Sequence, residues 1–256
     1  MKFRPCIDIH NGKVKQIVGG SLKDENNQAK ENFVSEVDST YYANLYKANN
    51  IKGGHIILLN SKDSEYFETT KSEALKALMA YKGGLQIGGG VNCDNALEYI
   101  KAGASHVIVT SYVFKNGKIN YDNLNKIFNA VGKEHLVLDL SCRKKDDKYY
   151  IVTDRWQKFT DVCIDENIFY ELSKYCDEFL VHAVDVEGKA SGIEEEVAKI
   201  LGRLENIKVT YAGGISSFAD LDILKELGNG KIDFTIGSAL DIFGGKMQFD
   251  SVVKYC

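Results

Sequence analysis

Two aspartates end apolar runs at matching places in the two halves of this 256-residue chain. RPCIDIH carries Asp8 and HLVLDLS carries Asp139. Two opposed carboxylates can share out the work of general base and general acid if their surroundings drive their pKa values apart. A second motif follows each aspartate: an apolar run closing in Gly-Gly, an amphipathic stretch, then another apolar run ending in small or hydroxyl-bearing residues. Its first copy is IGGGVNCDNALEYIKAGASHVIVTS, residues 87–111, with Gly89, Gly90, Thr110 and Ser111. The second is AGGISSFADLDILKELGNGKIDFTIGS, residues 212–238, with Gly213, Gly214, Gly237 and Ser238. Glycines let backbone N–H groups approach an anion, and the N–H groups of a helix start point the same way. One copy alone reads as a tight turn. Two copies point to a ligand that carries a phosphate at each end.

The remaining candidates have weaker signals. His182, in FLVHAVDVEG, falls near the exit of an apolar run and is a candidate substrate contact, although a lone histidine is more often structural. Trp156, the one tryptophan, could cap a sugar or base, or equally pack on its own surface. Arg143 opens the run Arg143, Lys144, Lys145, which could meet a phosphate but as a charge run is more often a solvated face. Gly20 belongs to the Gly19-Gly20 pair of a long polar segment. Asp185 and Glu187 could orient a loop or a hydroxyl, while His10 reads as solvated and His55, His106 and His135 as strand-entrance residues with no assigned role. The sequence carries no zinc-ligand spacing, Walker loop, nucleophile elbow or Rossmann fingerprint.

These residues need a scaffold, and the pattern supplies one. Eight short apolar runs, near 3–9, 54–60, 84–89, 106–111, 135–140, 178–185, 208–214 and 233–239, alternate with amphipathic helical stretches. Runs without polar alternation suit parallel strands buried on both faces. Eight such units predict an α/β fold, a (β/α)8 TIM barrel with a twofold half-barrel repeat, in one domain spanning 1–256. Asn92, Asn120 and Ser216 or Ser217 are placed to cap helices. Two long insertions follow the first and fifth runs, the second resembling a hairpin that ends near Trp156. Both fall at the carboxyl end of the barrel, where clamps and lids are built.

Composition narrows the function classes. A net charge of −4 and a pI near 5.8 argue against a nucleic-acid partner. No run is long enough for a membrane span, and the N-terminal apolar stretch is too short for a secretory signal. Six cysteines without a C-x-x-C spacing read as reduced thiols, so the expected compartment is the cytoplasm.

PCIDIHNGKVKQIVGG, QIGGGVNCDNALEYIKAGASHVIVTS, VLDLSCRKKDDKYYIVTDRWQ, FLVHAVDVEGKASG and YAGGISSFADLDIL together resemble the ProFAR isomerase family of histidine biosynthesis, closest to its eukaryotic-type branch. The resemblance covers essentially the whole chain. It implies an Amadori rearrangement of an aminoaldose ribonucleotide, ProFAR, to its aminoketose, PRFAR, on a small substrate bearing a phosphoribosyl group at each end. It places the catalytic pair on Asp8 and Asp139, with Asp139 as the acid that opens the ribose ring and Asp8 as the base at the sugar's second carbon. The phosphate cradles fall on Gly89, Gly90, Thr110 and Ser111, and on Gly213, Gly214, Gly237 and Ser238. No metal or other cofactor is implied, and a monomer is expected. The sequence departs from bacterial members at His182, where threonine is usual, at Glu187, at Gln16 and at the strand-2 end LLNSKD. Two alternatives stand beside this reading: the cyclase subunit of imidazole glycerol phosphate synthase, which has a lysine in place of Gln16, and a catalytically silent phosphosugar-binding barrel.

Overall fold

A computed structural model describes residues 1–17, 31–154, 156–187 and 192–256. Eight parallel strands form the wall: β1 (Cys6–His10), β2 (Gly54–Leu58), β3 (Leu85–Gly88), β4 (His106–Val109), β5 (Leu136–Asp139), β6 (Glu178–His182), β7 (Lys208–Ala212) and β8 (Asp233–Phe234). Consecutive strands pair in parallel from β1 through β8. A parallel bridge between Phe3 and Phe234 closes the ring. The sequence placed every strand correctly but ran most of them too far, because the wall ends where the chain turns into the loops at the carboxyl rim.

Helices α1 (Ser39–Ala48), α2 (Phe67–Ala80), α3 (Ala96–Ala102), α4 (Tyr121–Val131), α5 (Glu166–Leu172), α6 (Glu195–Gly202), α7 (Phe218–Leu227) and α8 (Phe249–Tyr255) alternate with the strands. No helix among the described residues is long and apolar enough to cross a membrane. Ser217 caps α7 in a reciprocal box with Asp220, and Asn120 caps α4 by accepting from the Asn123 N–H. Asn92 acts one turn earlier than expected: its Oδ1 accepts from the N–H groups of Asp94 and Asn95 ahead of α3.

Strand periodicity decides what each side chain sees. On β1, Ile7 and Ile9 are fully buried in the layer that includes the helices, leaving the alternate residues Cys6 and Asp8 for the lumen. On β5, Leu136 and Leu138 join that outer layer while Val137 lies in the lumen, which carries Asp139 inward as well. A slip of one residue would turn both aspartates out of the barrel.

The lumen is layered. At the amino end Glu178 accepts hydrogen bonds from Gln86 Nε2 at 3.1 Å and Thr210 Oγ1 at 2.8 Å, with an Arg4 guanidinium nitrogen 3.7 Å away. Above it Ile108, Val137, Leu180 and Ala212 form a dry layer packed by Ile57. Each large aliphatic side chain there contributes about 1.5–3 kcal/mol. The carboxyl end, above the apolar layer, stays open.

Both insertions make antiparallel sheet at that end. After β1 the chain reverses at Asn11 and Gly12, both with positive φ, and Lys13–Ile17 folds back on β1. This is the geometry of a two-residue Asn-Gly hairpin, a signal that the sequence reading passed over. Lys13–Ile17 pairs in turn with Glu31–Val34. Gly20 lies outside the described residues. The second insertion is a three-stranded sheet, Cys142–Lys145, Lys148–Thr153 and Lys158–Cys163, rather than one hairpin. Its first turn, Asp146-Asp147, also has positive φ at both residues.

Candidate active site

A cavity of about 730 Å³ opens at the carboxyl ends of the strands. Asp8, Asp139, His182, Trp156 and both Gly-Gly units with their partner residues line it. Thus every described site residue read from the sequence, except Arg143 and Asp185, meets in one chamber. The Arg143 Nε donates to Asp185 at 2.9 Å, and its guanidinium lies 5.6 Å from the Phe159 ring centroid. It braces the inserted sheet against the chain beyond β6.

Asp8 and Asp139 face each other because β1 and β5 are four strands apart whichever way the ring is followed. Their surroundings differ. Asp139 Oδ1 accepts from the Ser141 N–H at 2.8 Å and the Ser141 hydroxyl at 2.6 Å. Its Oδ2 accepts from the Thr110 hydroxyl at 3.0 Å. Thr110, read from the sequence as a phosphate contact, therefore has its hydroxyl committed to a carboxylate. Among the described residues Asp8 has one weak partner, Gln16 Nε2, at 3.5 Å.

The electrostatics follow. Burial raises Asp8 to about 7, with Glu187 adding to the rise and His182 and Gln16 opposing it. Burial also pushes Asp139 upward, but His182, Ser141 and Thr110 outweigh it and hold the carboxyl below its ordinary value. Burial would lower His182; the carboxylates of Asp139, Glu187 and Asp8 reverse that and raise it. Glu187 is itself raised by burial. Asp139, which the resemblance casts as the acid, is therefore held ionised. One side of the chamber holds a lowered carboxyl beside a raised imidazole, the other a carboxyl poised to gain or lose a proton near neutral pH.

His182 Nδ1 lies 3.9 Å from Asp139 Oδ1, an ion-pair separation too long for a hydrogen bond. The His182 ring packs against Trp156 at 5.5 Å and edge-on to His55 at 6.3 Å. Trp156 holds this place with φ of 67°, a left-handed conformation that costs a bulky residue. His55, to which the sequence gave no role, is buried in the chamber floor; burial and its histidine neighbour depress its pKa to about 3, so it is neutral.

The Gly-Gly units need their glycines for different reasons. All four glycines have positive φ. A Cβ on Gly89 would come within 2.2 Å of the Leu58 carbonyl oxygen, and one on Gly214 within 1.9 Å of that of Gly192. A Cβ on Gly90 would meet only the Lys62 side chain, at 3.7 Å. The helix starts are less available than the sequence suggests: the N–H groups of Ser216 and Ser217 donate to Asp220, and that of Asn92 donates to Asn95.

Two further residues were missed as site members. Lys62, after β2 beside Gly90, places a cation at the first unit. Gln16, brought in by the Asn11-Gly12 turn, reaches Asp8 while its Oε1 sits 2.3 Å from where a Gly237 Cβ would be. Any side chain at Gly237 would displace that amide. The Asn-Gly dipeptide flanked by apolar alternation was the available signal for Gln16; none existed for His55.

Known proteins resemble the chain along nearly its full length. The model of a histidine biosynthesis protein family matches residues 2–248. A chloroplastic 1-(5-phosphoribosyl)-5-((5-phosphoribosylamino)methylideneamino)imidazole-4-carboxamide isomerase of Medicago truncatula is 53% identical over 259 residues, covering 100% of this chain and 81% of its own. The isomerases of the same name from Neurospora crassa and Yarrowia lipolytica are each 46% identical, over 96% and 99% of this chain and 94% and 97% of their own.

Proposed function

The chain belongs to the histidine biosynthesis protein family, and we propose that it is the isomerase that converts the aminoaldose ProFAR to the aminoketose PRFAR. The observation that carries this reading is the chamber itself: two carboxyl groups of opposite electrostatic character on facing strands, with a Gly-Gly turn to either side. The relatives are named for an isomerase acting on a molecule with two phosphoribosyl groups, which suits two anion cradles.

One phosphate sits against Gly89, Gly90 and Ser111, near Lys62; the other sits against Gly213, Gly214, Gly237 and Ser238. This holds the reacting ribose between Asp8 and Asp139. The ring opens when its oxygen is protonated from the β5 side, leaving an iminium at the first carbon. Asp8 then removes the proton at the second carbon, a task suited to a base with a pKa near 7. Product and substrate contain the same atoms, so the reaction needs no redox partner or ammonia. Trp156 lies where it can cover the sugar. We read the chain as one barrel domain working as a monomer, with its six unpaired cysteines as reduced thiols of the cytosol.

The test is turnover by the isolated chain. Given ProFAR and a chelator, it should release PRFAR at a catalytic rate, followed by chromatography. Given PRFAR and an ammonium salt, it should release no imidazole glycerol phosphate. Inertness toward ProFAR with release of that second product would identify a cyclase; inertness to both would identify a binding barrel.

A further inference from the structure

We propose that His182, and not Asp139, is the catalytic residue that hands a proton to the ribose ring oxygen, while Asp139 positions its imidazolium. This rests on the isomerase reading and deepens it. Asp139 is a poor donor on geometry alone. Oδ1 accepts twice from Ser141 and Oδ2 accepts from Thr110, so all three donors are aimed at a carboxylate rather than a carboxylic acid.

His182, at the end of β6, reaches the same chamber beside it. Its Nδ1 is buried and has no hydrogen-bond partner among the described residues; the nearest anion is Asp139 Oδ1, 3.9 Å away. With Nδ1 turned to Asp139, Nε2 is the nitrogen left for a substrate. The groups facing the ring come from every side. They are Asp139 on β5, Asp8 on β1, Glu187 beyond β6, the neutral ring of His55 on β2, and Trp156 from the inserted sheet. Three acidic groups against one neutral imidazole favour the charged form of His182, in keeping with its raised pKa. Trp156 limits the ring's freedom from above.

The protons balance without any outside reagent. As the bond between the first carbon and the ring oxygen breaks, the oxygen takes the His182 proton and the nitrogen lone pair forms the iminium. Asp8 takes the proton from the second carbon, and that electron pair forms the enaminol double bond. Asp8 returns this proton to the first carbon. Neutral His182 takes the enol hydroxyl proton as the ketone forms, and both groups end as they began.

The experiment compares the unmodified chain with His182→Gln and His182→Thr. Each variant should lose about 10²-fold or more in kcat while KM for ProFAR moves little, because the phosphates supply the binding. The alkaline limb of the kcat/KM profile, which reports the imidazolium, should vanish. Nitrogen-15 NMR of the ligand-free unmodified chain should show His182 titrating above an ordinary histidine, and Asp139→Asn should lower that midpoint. Either variant keeping kcat within ~3-fold, or an unchanged alkaline limb, overturns the role. A His182 that is neutral through pH 7 in the unmodified chain overturns it even if the variants fail to fold. Inertness of the unmodified chain toward ProFAR sinks the isomerase reading and this role together, whereas a fully active His182→Gln sinks only the role.

Discussion

The two halves of the barrel present the same residue at the same place and treat it in opposite ways. Asp8 at the end of β1 and Asp139 at the end of β5 share strand position and inward direction. Asp8 faces a buried setting with one long contact from Gln16, and its pKa climbs to about 7. Asp139 has a serine and a threonine bonded to it and a histidine beside it, and stays low. Duplication thus supplies two equivalent carboxyls, and their neighbours make them unequal. The Gly-Gly turns show the same asymmetry: a Cβ on Gly214 would strike backbone, while one on Gly90 would reach only a flexible lysine.

Removing either carboxylate is the largest test of that contrast. Asp8→Asn and Asp139→Asn should each fold and each lose at least ~10²-fold in turnover, with substrate affinity changing less. Their pH profiles should differ. Asp8→Asn should abolish the acid limb near 7, and Asp139→Asn should move the alkaline limb to lower pH as His182 loses its counter-ion. Identical profiles in the two variants would show that the halves are chemically equivalent after all.

A smaller effect separates the turns. Gly214→Ala and Gly90→Ala both force alanine into positive φ, at about 1–2 kcal/mol each. Gly214→Ala must also relieve a 1.9 Å approach to the Gly192 carbonyl, so its loss in thermal denaturation should be clearly the greater. Equal losses would mean that the second turn yields as easily as the first.

The smallest effect is on stability against pH. An acid whose folded pKa is raised costs nothing below its unfolded value near 4, where both states are protonated. The cost then grows with pH and is complete above the folded value of about 7. Asp8→Asn should therefore stabilise the protein more at pH 8 than at pH 4, by ~1–2 kcal/mol after discounting for water at the cavity mouth. A benefit that does not grow with pH would place Asp8 in an ordinary solvated setting.

Much of this was legible in one dimension. Eight apolar runs with helical stretches between them specify a parallel barrel because each strand must be apolar on both faces. The duplicated Gly-Gly units and strand-end aspartates fall at the open end of any such barrel. The parts that were not legible depend on contacts between distant segments. The Asn11-Gly12 turn was visible, but not that it would lay the Gln16 amide between Asp8 and Gly237. Nor was it visible that β4 and β5 would bring the Thr110 hydroxyl to Asp139. Arg143 was a weak candidate in a charge run, and only the fold shows it donating to Asp185, 42 residues later.

The sequence by itself determined the barrel, the layer in which each strand residue lies, and the two carboxylates and two Gly-Gly turns at its mouth. Periodicity and glycine conformations are local properties, so residue order carries them. Only the tertiary structure decided that Asp8 is raised while Asp139 is lowered, that His182 is raised while His55 is depressed, and that Trp156 packs against His182. Those outcomes depend on desolvation and on charge separations of a few ångströms, and both exist only once β1, β2, β5, β6 and the inserted sheet share one chamber.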